Sequence, residues 1–146
     1  LCSCRKVGAN YLLNIGPMGN GEIPLMQEAL LRGIGGWINA TGGAIYEGKP
    51  CGVTGEGKNF ALRAGNELYL FVHNLSIVGN SDVTFGPNTA GIKKFSGIES
   101  TIKRICWIDN GKELRFTQNA SELTVDCTGY PYGTDLVVRV AKAEFA

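Results

Sequence analysis

The chain has almost no net charge: 14 Lys and Arg stand against 13 Asp and Glu over 146 residues. A surface so balanced offers no field to hold nucleic acid or an anionic membrane. No apolar run approaches the ~20 residues of a membrane-spanning helix. Histidine is nearly absent, with His73 alone. That argues against a histidine-based metal centre and against a catalytic triad, and no Ser or Cys nucleophile motif accompanies it. The glycine-rich loop at 16–21 lacks the Lys-Ser/Thr ending of a phosphate loop. The opening Leu1-Cys2-Ser3-Cys4-Arg5-Lys6 has neither an initiator Met nor the basic start and apolar centre of a signal peptide. The length also falls short of a complete (β/α)8 barrel, which takes ~250 residues.

What is present suits a packed core. Hydrophobic residues make up 44% of the chain and charged residues 18%, which excludes wholesale disorder. Glycine is the outlier at 21 residues, without a period, roughly twice its usual ~7% share. Five cysteines leave at least one thiol unpaired within the chain, which suits a reducing compartment. Cys2-x-Cys4 lacks the spacing of a zinc knuckle, so no metal site is expected. Cys106 and Cys127 sit in apolar runs and read as small buried hydrophobes.

Two kinds of pattern divide the chain. Asn10-Tyr11-Leu12-Leu13-Asn14-Ile15 is a short apolar run ended by Gly16-Pro17. It reads as a buried strand of the parallel-sheet kind, followed by a turn-rich loop at 16–22. Pro24 then marks a helix start, and Met26, Leu30, Ile34, Trp37 and Ile38 recur on one apolar face. Gly33, Gly35 and Gly36 weaken that helix by about 1 kcal/mol each and are expected to allow close packing on a neighbour. Gly42 or Gly43 is the natural stop. This is one strand–loop–helix unit, and alone it cannot satisfy the ladder groups of its strand. The N-terminal third therefore reads as the last piece of something larger.

From about Cys51 onward no helical period is found. Strand-like runs at 59–63, 67–73, 82–85, 101–108, 113–117, 122–127 and 136–141 alternate with turn signals. Ala64-Gly65-Asn66 and Asn110-Gly111 look like tight hairpins. Such spacing predicts an antiparallel β-sandwich. The fold class expected is mainly β, with residues 1–50 forming a β/α unit and residues 51–146 the sandwich.

The stretch Lys6-Val7-Gly8-Ala9-Asn10-Tyr11-Leu12-Leu13-Asn14-Ile15-Gly16-Pro17 closely resembles the signature of α-L-fucosidases of glycoside hydrolase family 29. The similarity continues through Gly21-Glu22-Ile23-Pro24, Gly36-Trp37 and Asn39-Ala40-Thr41-Gly42-Gly43-Ala44-Ile45-Tyr46. Gly43 replaces the usual Glu, and Glu47 stands where a small residue is common. The resemblance is specific over residues 6–50 and looser over 58–145. It implies a (β/α)8-like barrel followed by a C-terminal β-sandwich, with residues 6–50 as the last barrel strand, its loop and its closing helix. Cys2 and Cys4 would end the preceding helix. On that basis the chain is expected to be a C-terminal fragment.

The resemblance also implies retaining hydrolysis of terminal α-L-fucosides, with an Asp nucleophile and a second carboxyl as acid/base. Both are expected upstream of Leu1, so no catalytic residue, metal or cofactor is assigned here, and the chain alone is expected to be inactive. The implied partners are fucosylated glycans and the missing barrel, with self-association possible through an exposed face at residues 10–38. A non-catalytic carbohydrate-binding module is the alternative.

Few polar residues here suggest chemistry. Asn14, near the C-terminal end of an apolar strand, is expected to be buried and hydrogen-bonded. It supports the loop or contacts substrate. Glu22 reads as favouring the helix N-terminus, Glu28 as a solvated helix residue, and Asp109 as turn chemistry. Asp82, Asp126 and Asp135 show no pairing suited to acid/base work. Tyr130-Pro131-Tyr132 closes a sandwich edge or stacks on a sugar ring. The triplets starting at Asn39, Asn74 and Asn119 match glycosylation sites and are read as chance.

Overall fold

A computed structural model describes residues 1–73, 75, 91–127 and 138–146. Among these residues two α-helices precede eight strands: α1 (Cys2–Lys6), α2 (Leu25–Ala40), β1 (Lys49–Gly55), β2 (Phe60–Ala64), β3 (Glu67–His73), β4 (Ile92–Ser96), β5 (Ile102–Trp107), β6 (Phe116–Asn119), β7 (Glu122–Asp126) and β8 (Val138–Phe145). The strands form one antiparallel sheet in the order β5-β8-β3-β2-β1-β4-β7-β6. Its two ends meet through the connection between β5 and β6. There Trp107 N–H donates to the Lys112 carbonyl (2.9 Å) and Leu114 N–H to that of Ile105 (2.9 Å). The sheet thus curls around one core and nearly closes, which removes most of the exposed edge.

Alternation along the strands decides what fills that core. Leu68, Leu70 and Val72 of β3 point inward with Phe95, Ile105, Trp107, Leu123, Val125, Ala141 and Ala143. The opposite face of β2, β3 and β8 is buried as well, through Phe60, Leu62, Tyr69, Phe71, Val138 and Val140. Leu1, Cys2 and Trp37 of the N-terminal segment pack against it. Burial on both faces is why β3 reads as an unbroken apolar run. Each such side chain contributes about 1.5–3 kcal/mol. Phe60 and Phe71 stack at 4.5 Å between ring centres, within the range of favourable aromatic pairs.

The hairpins follow their turn residues. Ala64 pairs with Glu67 across Gly65-Asn66, and Gly65 adopts φ +56°. Asn119 pairs with Glu122 across Ala120-Ser121, where Ala120 takes φ +50° without being a glycine. Gly42 ends α2 at φ +54°, as expected of a helix stop.

Several expectations need correction. Residues 10–15 are extended but belong to no strand. No described strand lies beside them, and an unpaired ladder does not hold a strand. By contrast, Leu12 is 84% exposed, Met26 74% and Leu30 63%, in keeping with the exposed face expected at residues 10–38, and the apolar stripe of α2 packs only through its C-terminal part. A side chain at Gly33, Gly35 or Gly36 would meet nothing within 4 Å, so these glycines accommodate no neighbour here. The sequence pattern marks neither β1 nor β4, and β6 begins at Phe116 rather than at 113. The turn at Asn110-Gly111 leads to a single bridge between Cys106 and Glu113, and β6 then pairs with β7. The expected strand 82–85, residues 136 and 137, Asp135, Asn74 and Tyr130-Pro131-Tyr132 lie outside the described residues.

Candidate functional site

A wide groove lies beside α2. It arises because α2 touches the sheet only at its C-terminal end. Helix α2 starts after Pro24, with Glu28 N–H donating to the Pro24 carbonyl at 3.0 Å, and stops at Gly42. Near that end the Trp37 indole Nε1–H donates to the Val138 carbonyl at 2.6 Å. On the other side of the junction the Arg5 guanidinium donates to the Gly48 carbonyl, also at 2.6 Å. Gly48 fits because it has no side chain: a Cβ there would come within 2.5 Å of the Ala44 carbonyl oxygen and 2.8 Å of Leu62 Cβ. These contacts fasten the last turn of α2 and the end of α1 to the outer face of β2, β3 and β8.

The N-terminal half of α2 stands away from the sheet. Between it, α1 and Tyr11 lies a groove of about 720 Å3, with Leu1, Cys2, Leu30, Ile34 and Trp37 among its walls. Leu12, Leu13, Ile15, Leu25 and Met26 continue this exposed apolar surface. Monomeric soluble proteins rarely expose contiguous apolar surface of this kind. The loop at 16–22 is held by local bonds: Gly16 N–H to Gln27 Oε1 (2.9 Å), Asn20 Nδ2 to Glu22 Oε2 (2.8 Å), and Glu22 N–H to Asn20 Oδ1 (3.1 Å).

Asn14 does not meet its expectation of burial. It is exposed, since residues 10–15 have no sheet around them, and it takes part in no hydrogen bond among the described residues. Glu22 closes a turn with Asn20. Glu28 forms an i,i+4 pair with Arg32 on the solvent side (2.6 Å), a contact contributing about 0.3–0.5 kcal/mol.

Asp109 is a correction of another kind. Beyond its place before the turn, it receives two parallel hydrogen bonds from Arg139, Nε to Oδ1 and the amino group to Oδ2, each 2.9 Å. Arg139 is 1% exposed, and its guanidinium lies 4.2 Å from the Trp107 ring centre. A fully buried cation needs such a bidentate partner and a ring face. The pair is 30 residues apart in sequence and ties the turn before Asn110 to β8.

His73 is half-buried at the end of β3. Its backbone N–H donates to Asn59 Oδ1 at 2.8 Å, and its ring Nδ1 is buried without a partner. Burial, then the charges of Lys58 and Lys6, hold its pKa below the ordinary 6.5. Glu67 lies below the usual carboxylate range because Lys142 and Tyr69 donate to it. Burial and the Glu67 bond push Tyr69 up to about 12. Burial likewise raises the Cys127 thiol to about 12, which leaves it inert. Among the described residues no group of three or more His, Cys, Asp or Glu side chains is placed to hold a metal ion. No carboxylate pair faces the groove.

The comparisons account for this arrangement. The α-L-fucosidase family model matches residues 1–43. The tissue α-L-fucosidase of Bos taurus is 49% identical over 117 residues, which are 80% of this chain and 23% of that protein. The chain belongs to the α-L-fucosidase family. The mouse tissue α-L-fucosidase is 51% identical over 52 residues, 35% of this chain and 11% of that protein. Among solved structures, α-L-fucosidase isoenzyme 1 from Paenibacillus thiaminolyticus matches with a TM-score of 0.76 over 99% of this chain and 32% of its own, at 21% identity. The Thermotoga maritima α-fucosidase bound to a mechanism-based inhibitor matches with a TM-score of 0.71 over 98% and 32%, at 23% identity. The two structures share the fold. The chain spans about a quarter of the bovine fucosidase and a third of the bacterial ones.

Proposed function

We propose that this chain is the C-terminal part of a retaining α-L-fucosidase that removes terminal α-L-fucose from glycoconjugates. It supplies the end of the catalytic barrel, residues 1–48, and the β unit that buttresses it. The observation that carries the proposal is the unpartnered apolar face of residues 10–37 in a chain otherwise packed around a complete core. On this reading the face docks the rest of a (β/α)8-like barrel, whose neighbouring strands pair with residues 10–15. The nucleophile Asp and the acid/base belong to that remaining portion, so the chain alone does not hydrolyse fucosides. Asn14, at the end of the restored strand, turns inward to hold the adjoining loop.

The test is hydrolysis of an aryl α-L-fucoside by the chain alone and by the chain with the upstream part of its gene. The longer protein is expected to be active, with retention at the anomeric carbon, and the chain alone inactive. Activity in the chain alone, or none in a folded longer protein, contradicts the proposal. Without the remaining barrel, two copies of this chain associate through the same face. Sedimentation equilibrium reads that association, which should vanish in the longer protein.

A further inference from the structure

A second cavity, about 280 Å3, opens at the end of the β unit between β1, β2 and the loop at 97–100. Three departures from regular strand shape it. β1 breaks register between Pro50 and Thr54, with Gly52 at φ +77°. Such a bulge re-aims side chains, and Cys51 and Val53 within it line the cavity. The chain then leaves β4 at Gly97, φ +92°, where an added Cβ would lie 3.3 Å from the Gly52 carbonyl oxygen. The two walls approach closely because Gly97 has no side chain.

The third departure is the loop itself, which is irregular yet firmly held. Gln118 Nε2 donates to the carbonyls of Ile98 (3.4 Å) and Ser100 (3.0 Å), and Gln118 Oε1 accepts from Ile102 N–H (2.9 Å). The N–H groups of Gly97 and Ile98 both donate to the Ser121 carbonyl at 3.0 Å. One hairpin, β6–β7, thus pins the rim. A rim fixed before binding saves the ordering cost a mobile loop would incur.

The polar groups on that rim are uncommitted. Arg63 lies 4.8 Å from the Phe145 ring centre and spends its Nε–H on the Gly65 carbonyl (3.1 Å). Its two terminal amino groups have no partner among the described residues. The side chains of Glu99 and Ser100 also line the cavity without a described hydrogen bond. Beneath them Val53, Leu68 and Ile98 form a buried apolar floor. Arg63 and Glu99 cancel in charge, so the cavity suits neither a lone anion nor a lone cation. Donors, an acceptor and a hydroxyl over an apolar floor match the hydroxyls and C–H face of a sugar ring.

We propose that this cavity is a carbohydrate subsite that takes one pyranose unit of a glycan. It rests on reading the chain as part of a glycan-processing enzyme, and it lies on the buttress rather than on the barrel face. Arg63 and Glu99 hold neighbouring hydroxyls, and Ser100 sets the orientation.

The test is an amide NMR titration of the chain with L-fucose, with D-galactose and with inorganic phosphate, repeated in the Glu99→Gln and Arg63→Gln variants. Both variants change exposed side chains, and their unperturbed spectra elsewhere serve as the folding control. A sugar should shift residues 51–53, 63 and 97–100, and each variant should weaken binding at least about tenfold. Sugar shifts elsewhere only, shifts unchanged in both variants, or response to phosphate alone overturn the subsite. Hydrolysis is measured separately on the longer protein. Hydrolysis without shifts at the rim rejects the subsite alone, and shifts without hydrolysis reject the enzymatic reading alone.

Discussion

Residues 1–48 and the β unit treat the same kind of side chain in opposite ways. In the β unit Leu70, Phe71 and Leu123 are completely buried; in the N-terminal part Leu12, Leu25 and Met26 are more than two-thirds exposed. Leucine carries the same transfer free energy in both places. The difference is what surrounds it. The β unit nearly closes its own sheet, so its described inward residues face one another across a shared core. The N-terminal part has two helices and a segment with no strand beside it, and covers only the sheet face behind it. A closed sheet is sufficient unto itself, whereas a β/α unit requires neighbours.

The contrast can be broken by mutation. Asp109→Ala should rank among the largest effects, since it removes the bidentate carboxylate from the buried Arg139; a loss of about 3–5 kcal/mol is expected in urea unfolding. Leu70→Ala should cost about 2–5 kcal/mol by opening a cavity. Leu30→Ala and Leu12→Ala in the same chain should change stability by less than about 0.5 kcal/mol. Equal losses at Leu30 and Leu70 would mean that the N-terminal part has a core of its own. Trp37→Phe keeps the ring and loses the bond to Val138, and about 1 kcal/mol is expected. Amides of residues 11–15 should then exchange with solvent still faster than those of β3, which a hydrogen-exchange time course reads.

The smallest effect concerns pH. The folded state holds the His73 pKa below 6.5, so as pH falls the unfolded chain takes up its proton first. Stability therefore declines as pH drops below about 6.5, until the folded-state histidine titrates as well. Glu67, held below its usual range, adds a further decline from about pH 4.5 downward by the same rule. Thermal unfolding midpoints at pH 7.5 and 5.5 should show the first effect, and His73→Gln should flatten it.

Much of the β unit was legible because its strands carry their own pattern. β2, β3, β5 and β7 show apolar runs bounded by turns, and Gly65-Asn66 marks its hairpin. β1 escaped because Lys49-Pro50-Cys51-Gly52 reads as a turn, and its bulge does contain one. β4 escaped because only Phe95 of its five residues is buried. The apolar run at 10–15 was read as a strand because composition reports preference, whereas a ladder also needs a neighbour. Asp109 looked like turn chemistry because nothing near it in sequence hints at Arg139. The cavity at 97–100 is equally invisible, since it is made by a bulge around Gly52, by Gly97 and by Gln118, from three separate stretches. Family membership was legible because residues 6–50 carry a contiguous signature.

His73 has one more consequence. It is the only imidazole in the chain, and its ring lies 6.0 Å from that of Phe60, over which Lys6 of α1 also reaches at 6.0 Å. A single, unambiguous imidazole Hε1 resonance therefore sits where the N-terminal part meets the β unit. It is a native probe: any separation of the two parts should relieve the Lys6 charge and shift that one line.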